Sequence, residues 1–132
     1  MKILPIHPQF VARAWQDLGP MLARAQDADQ PDGRALTFEG KAQLWAVLDD
    51  SKPIGAALTQ VHGERCLIWQ IAGHSMSEWS QIFVETVAAW ARSVGCTALY
   101  GAGRKGWARV VEPMGFRRIP DIDNRRAWEL RI

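Results

Sequence analysis

The chain has 132 residues, 48% of them hydrophobic, and a formal net charge of +2 from 16 basic and 14 acidic side chains. That is enough chain for one globular domain, 1–132, with a real core, and a charge too mild to point to nucleic acid. Two cysteines make neither a disulfide framework nor a zinc site, no run approaches the ~20 apolar residues of a membrane span, and MKILPIHPQF is too short and proline-broken for a signal peptide, so Cys66 and Cys96 read as reduced core residues of a cytoplasmic protein.

Residues 2–7 read as a short strand, and Pro5 suits an edge position. Pro8 fits the first turn of a helix running from Gln9 to Asp17, with Phe10, Ala14 and Trp15 on one face. Gly19-Pro20 is expected to interrupt it before Met21–Gln26 resumes as a second helical piece. Asp27–Gly33 is the clearest loop. Arg34–Lys41 is either a turn of helix or an extended lead-in. A three-strand meander follows: Leu44–Leu48, a turn at Asp49–Pro53, Ile54–Val61, a turn at His62–Glu64, and Arg65–Ala72. Gly55 marks a bulge or a close approach.

Ser75-x-x-Glu78 has the letters of a capping box and announces a long helix. Trp79, Ile82, Phe83, Thr86, Val87, Trp90, Ala91 and Val94 repeat at three and four, one apolar face, and Gly95 closes the helix. Thr97–Gly101 is a strand and Lys105–Pro113 a short helix with Trp107, Val110 and Val111 inward. The strands FRRI and Arg126–Ile132 flank a turn at Pro120–Asn124. The order predicts an α/β (α+β) fold, a mixed and mostly antiparallel sheet with helices on both faces. The strands Lys2–His7 and Arg126–Ile132 are expected at its edges, which leaves homodimerisation open.

Half of the basic residues fall in the last 29 positions: Arg104, Lys105, Arg109, Arg117, Arg118, Arg125, Arg126 and Arg131. The run Gly103–Arg109 is a glycine-flanked helix start carrying cations and a tryptophan. Cations there oppose the helix dipole. Arg104, Lys105, Trp107 and Arg109 are therefore candidates for binding an anion or an acidic partner with Trp107 as anchor; the alternative is a basic surface turn with Trp107 in the core. His74, at a strand–helix junction, either accepts a proton from an amine or orients a carbonyl, or is a loop residue bonded to backbone. His7 and His62 read as surface residues. No nucleophile-elbow pattern and no metal-ligand spacing occur.

With this order, the chain resembles the GNAT superfamily of N-acetyltransferases over almost its whole length. The resemblance rests on the meander Leu44–Ala72, the long helix after it, and the run A-x-x-V-x-x-x-G-F from Ala108 to Phe116. It implies that two strands part after the meander, with acetyl-CoA in the gap and its pyrophosphate on a Q/R-x-x-G-x-G/A loop before the long helix. Gln70-Ile-Ala-Gly73-His-Ser75 matches that loop except for Ser75. A later register, Ser75–Ser80, puts Glu78 in place of the first glycine, where a carboxylate would repel phosphate; the capping box favours it. The resemblance also implies a proton-donating tyrosine four residues before Gly115-Phe116, where this chain has Val111. Tyr100, on the preceding strand, reads as a packing residue.

Two expectations follow. In the first, the cofactor loop is degenerate and the protein is a non-catalytic structural, virion or partner-binding protein resembling bacteriophage-encoded GNAT-like proteins. In the second, it is an acetyl-CoA-dependent N-acetyltransferase acting on an amine. Ile71, Ala72, Gly73, His74, Ser75 and Ser77 would then hold the cofactor, with His74 or Glu39 as the base.

Overall fold

The computed structural model describes residues 1–26 and 32–132. It contains a seven-stranded sheet in the order β1-β2-β3-β4-β5-β7-β6. The strands are β1 (Lys2–Pro5), β2 (Gln43–Asp49), β3 (Lys52–His62), β4 (Arg65–Gly73), β5 (Ala98–Gly103), β6 (Arg117–Ile122) and β7 (Arg125–Arg131). All neighbours are antiparallel except β4 and β5. The helices are α1 (Val11–Ala25), α2 (Gly33–Phe38), α3 (Met76–Ser93) and α4 (Ala108–Val111).

Period-two alternation on β2 and β3 builds two cores. Trp45, Val47 and Ala57 face α3 and pack on Trp79, Phe83, Val87 and Ala91. Leu44, Ala46, Ala56 and Leu58 face α1 and pack on Leu18 and Leu22. The expected mixed sheet with helices on both faces is what forms. The two cysteines are buried, and burial pushes both thiols up, Cys66 to about 12.

Several local expectations need correction. α1 runs unbroken through Gly19-Pro20. A proline inside a helix loses one backbone bond and crowds the carbonyl four residues back; here the buried Leu18 and Leu22 stripe holds the helix on the sheet, and a Cβ at Gly19 would lie 2.4 Å from the Trp15 indole. Phe10 lies outside this face, exposed beside His7. Most of the loop expected at 27–33 lies outside the described residues. Its last two positions start α2, where Asp32 Oδ1 accepts the N–H groups of Arg34 and Ala35.

On α3 the buried face is Trp79, Ser80, Phe83, Val84, Val87, Ala88 and Ala91, while Ile82 and Val94 are exposed. The rotation follows from the i, i+4 row 79-83-87-91, which meets the sheet. Gly95 closes the helix as expected, with φ 92° and Cys96 N–H bonded to Ala91 O. The last strand is not an edge: β7 sits between β5 and β6, so β1 and β6 are the edges. The cause is the β6–β7 hairpin, which folds back so that β7 pairs along all of β5.

Candidate functional site

The parallel pair β4–β5 holds for three register pairs only, Arg65–Ala98, Cys66–Leu99 and Leu67–Tyr100. Beyond Leu67 the strands part. The β3–β4 register steps from Thr59–Ile68 to Leu58–Gln70, leaving Trp69 as an extra residue. Such a bulge bends its strand, and it lies just where β4 turns away from β5. The end of β5 is Gly101-Ala102-Gly103, which adds little side-chain bulk beside the gap. A Cβ at Gly101 would be 3.1 Å from Ile68 O, and the space beside Gly103 is taken by the Trp107 indole.

The gap is a cavity of about 510 Å³ that passes through the sheet. On one face it is walled by Ser80, Phe83 and Val84 of α3 and by Trp107, Val110 and Val111. On the other it reaches Met21 and Arg24 of α1 and Arg125. The free edge of β4 from Ile68 to Gly73 lines its length. Such an edge offers backbone donors and acceptors that no neighbouring strand satisfies. Trp128 also lines the cavity, and its buried indole N–H has no acceptor among the described residues. An amide-bearing, extended ligand fits these groups.

The β4–α3 turn is Gly73-His74-Ser75, since α3 starts at Met76. This corrects the later register: Glu78 lies in the first helical turn, not in the loop. The capping box is also absent. Ser75 has φ 55° and ψ 39° and makes no side-chain cap bond; a capping box needs an extended N-cap, and here Glu78 N–H bonds the Ser75 carbonyl instead, at 2.9 Å. Gly73 has φ 144°, and a Cβ there would be 2.3 Å from Ile54 O. The turn is clamped from both sides. His74 N–H bonds Ile54 O at 2.8 Å, and Trp79 Nε1 donates to His74 O at 2.7 Å. The N–H groups of Met76 and Ser77 open the helix with no carbonyl one turn back to bond.

Of the sequence-derived candidates, Ile71, Ala72, Gly73 and His74 line the cavity. Ser75 and Ser77 are exposed on the turn and first helical residues beyond it. Glu39 caps the C-terminal end of α2 and pairs with the equally exposed Lys41 at 3.2 Å; it is not part of the cavity wall. Gln70 is buried in β4 with Nε2 donating to Gln26 Oε1 at 3.3 Å. Tyr100, read from the sequence as a packing residue, is half-buried as expected and also borders the cleft. It sits at the last paired position of the splay and lines the cavity. The Arg65 guanidinium lies 3.9 Å from its ring centroid and pairs with Glu129 at 3.0 Å. Burial pushes the Tyr100 phenol up, with Arg65 opposing in part, so it keeps its proton at neutral pH.

A second cavity of about 280 Å³ lies at the tip of the same sheet end, lined by Gly103, Arg104, Lys105, Asn124, Arg125 and Arg126. It brings together two expected anion-binding candidates, Arg104 and Lys105, with two cations of the β6–β7 hairpin. Trp107 is no exposed anchor: it packs into the core and walls the large cavity. Arg109 is exposed on α4, outside both walls.

No family model and no curated protein matches the sequence. Solved structures match closely in shape. A Bacillus subtilis acetyltransferase in complex with CoA superposes with a TM-score of 0.76 at 10% identity, over 99% of this chain and 98% of that one. A putative N-acetyltransferase from Lactobacillus plantarum gives 0.75 at 17% identity, over 98% and 97%. A GNAT family acetyltransferase from Elizabethkingia anophelis with acetyl-CoA bound gives 0.73 at 14% identity, over 99% and 97%. These likenesses are of shape rather than sequence, and together with the parted β4–β5 pair they show that the chain has the GNAT acetyltransferase fold.

Proposed function

We propose that the protein binds an acyl-CoA thioester in the β4–β5 cleft and transfers its acyl group to an amine. The observation that carries this is the parting of β4 and β5 around an open cavity of about 510 Å³ with a free strand edge along it. The backbone of Ile68–Gly73 would hold the amides of the pantetheine arm as a neighbouring strand would. The N–H groups of Met76 and Ser77, aided by the helix dipole, would face the pyrophosphate. Glu78, in the same turn, opposes this in part.

When bound, the thioester supplies an activated carbonyl. The chain's own part is to seat the amine against that carbonyl and supply one proton. The cavity opening between α1 and Arg125 admits the amine. His74 lies beside the pyrophosphate donors, seven residues beyond the Leu67–Tyr100 pair, too far along β4 to reach the thioester, so it is assigned no part and the amine's proton would pass to water. Tyr100 is the chain's lone tyrosine and the one phenol on the cavity wall; it would give its proton to the leaving thiolate, a task Val111 cannot perform. Glu39 stands off the cavity and is assigned no part.

Calorimetric titration with acetyl-CoA tests the reading. Saturable binding at micromolar concentration supports it, and a hundredfold excess over Kd would add about 2.7 kcal/mol to stability. Absence of binding at millimolar concentration would sink it. A second reading, a non-catalytic partner-binding protein of the kind phage-encoded members represent, is favoured by Val111 and by a His74 N–H already spent on Ile54 O. It predicts no acyl transfer to any amine even where CoA binds.

A further inference from the structure

The large cavity leaves one cluster of charge unexplained. Arg104, Lys105, Arg125 and Arg126 converge on the second cavity, with Asn124 as the other polar side chain and no carboxylate in the wall among the described residues. The neighbouring acids are turned to other uses or to solvent: Asp121 pairs with Arg118 at 3.2 Å, and Asp123 is exposed in the hairpin turn. Among the described residues, Arg104, Lys105 and Arg126 have no ion-pair partner. Arg104, Lys105 and Arg126, gathered on one wall, repel one another. A bound anion turns that repulsion into attraction, and guanidinium groups suit carboxylates in paired, planar geometry.

The position of the cluster says what kind of anion. Gly103, Arg104 and Arg125 wall both cavities, so the basic one adjoins the large cleft. It lies at the end of β5, three residues beyond Tyr100. At about 3.3 Å per strand residue, that is about 10 Å from the head of the splay. A free amino acid, whose amine and carboxylate are separated by one carbon, cannot span this distance. An extended peptide does so with its third or fourth residue. Arg125 and Arg126 are held there by the β5–β7 ladder, in which Gly103 pairs with Arg126.

We propose that the acceptor is a peptide or protein amine followed by acidic residues, whose carboxylates dock on Arg104, Lys105 and Arg126. This rests on the acyl-transfer reading and names its substrate class. The test is kept independent of turnover. Three C-terminally amidated tetrapeptides with a free α-amine are titrated by calorimetry into the protein saturated with CoA: alanine followed by three glutamates, by three serines, or by three lysines. The acidic peptide is expected to bind at least tenfold tighter than the serine peptide, with the preference lost between about 0.05 and 0.5 M salt, where the screening length falls to a few ångströms. In the double variant Lys105→Glu, Arg126→Glu the preference should vanish while CoA affinity stays within twofold. Both side chains are exposed and lie outside the large cavity wall, and a thermal melt checks that the variant folds. Equal binding of the three peptides overturns the inference, as does a variant whose CoA affinity falls instead, which would make the cluster a cofactor phosphate site. Failure of CoA itself to bind sinks the underlying reading and is visible before any peptide is added.

Discussion

Gly73→Ala separates a glycine kept for the ligand from one kept for the fold. Its φ of 144° lies where residues with a side chain rarely go, and its Cβ would fall 2.3 Å from Ile54 O and 2.5 Å from Gly55 Cα. Both obstacles are backbone of β3 and cannot rotate away. Backbone strain of this kind costs about 1–3 kcal/mol, and forced overpacking a further ~1–3 kcal/mol. Moving the turn aside stretches the His74 N–H to Ile54 O bond and the Trp79 to His74 O bond. The variant should lose roughly 3–5 kcal/mol, a drop in Tm of about 10–15 °C for a chain of this size. Gly63→Ala is the control. Its φ is 62° but nothing lies within 4 Å of the added Cβ, so the loss should be about 1 kcal/mol, some 3 °C. Both are read by thermal melts and urea titration. If Gly73→Ala melts within 2 °C of the wild type, the clamped turn is wrong. Gly73 would then be a glycine kept for phosphate approach, and only acetyl-CoA affinity should suffer.

Three further outcomes are expected. Thr59→Val removes the acceptor of the buried Trp45 Nε1–H, now 2.9 Å from Thr59 Oγ1; the orphaned donor should cost about 1–3 kcal/mol, and an unchanged urea midpoint would mean that the indole finds another partner. Native Cys66 and Cys96 should resist a thiol reagent at pH 8 and both react once unfolded. Because the folded Cys66 thiol titrates near 12 against 9.0 for the free thiol, the unfolded chain gives up that proton first. Its contribution to stability is therefore intact below pH 9 and lost as pH rises towards 12, with a slope of at most about 1.4 kcal/mol per pH unit; Cys66→Ala should decline less steeply over that window, and equal slopes would contradict the assignment. Tyr100→Phe should lower kcat for acyl transfer by about a hundredfold, within the usual range for a lost general acid, while acetyl-CoA affinity holds. An unchanged kcat would remove Tyr100 from the chemistry.

What the sequence made legible was local. The meander, the long helix and its Gly95 stop are each specified within a few residues of themselves, and each formed. Misreadings came where a distant contact overrides a local rule. Pro20 would end an isolated helix, but Leu18 and Leu22 bury against β3 and β4. The letters Ser75-x-x-Glu78 spell a capping box, yet Gly73 must pass so close to Ile54 that Ser75 is left in a left-handed conformation. The basic cluster was half visible: Arg104 and Lys105 stood out. Their union with Arg125 and Arg126 depends on the β5–β7 pairing, for which no short-range signal exists. That Tyr100 borders the cleft was not legible, because it depends on where two strands part, and the Trp69 bulge on the neighbouring strand lies just there.

The cleft itself is what most favours the proposed acyl-CoA reading over a decayed site. Parting β4 from β5 gives up ladder bonds along the free edges of both strands. Each backbone group denied a partner must be met by water or a ligand, or it costs free energy. Closing the splay would recover those bonds at small structural expense. It would take a β4 without the extra residue at Trp69, and the chain keeps that residue. It also leaves a buried indole N–H on Trp128 without an acceptor beside the same opening. Under the proposed reading, an extended, amide-bearing thioester would return to β4 the bonds that the bulge withholds from it.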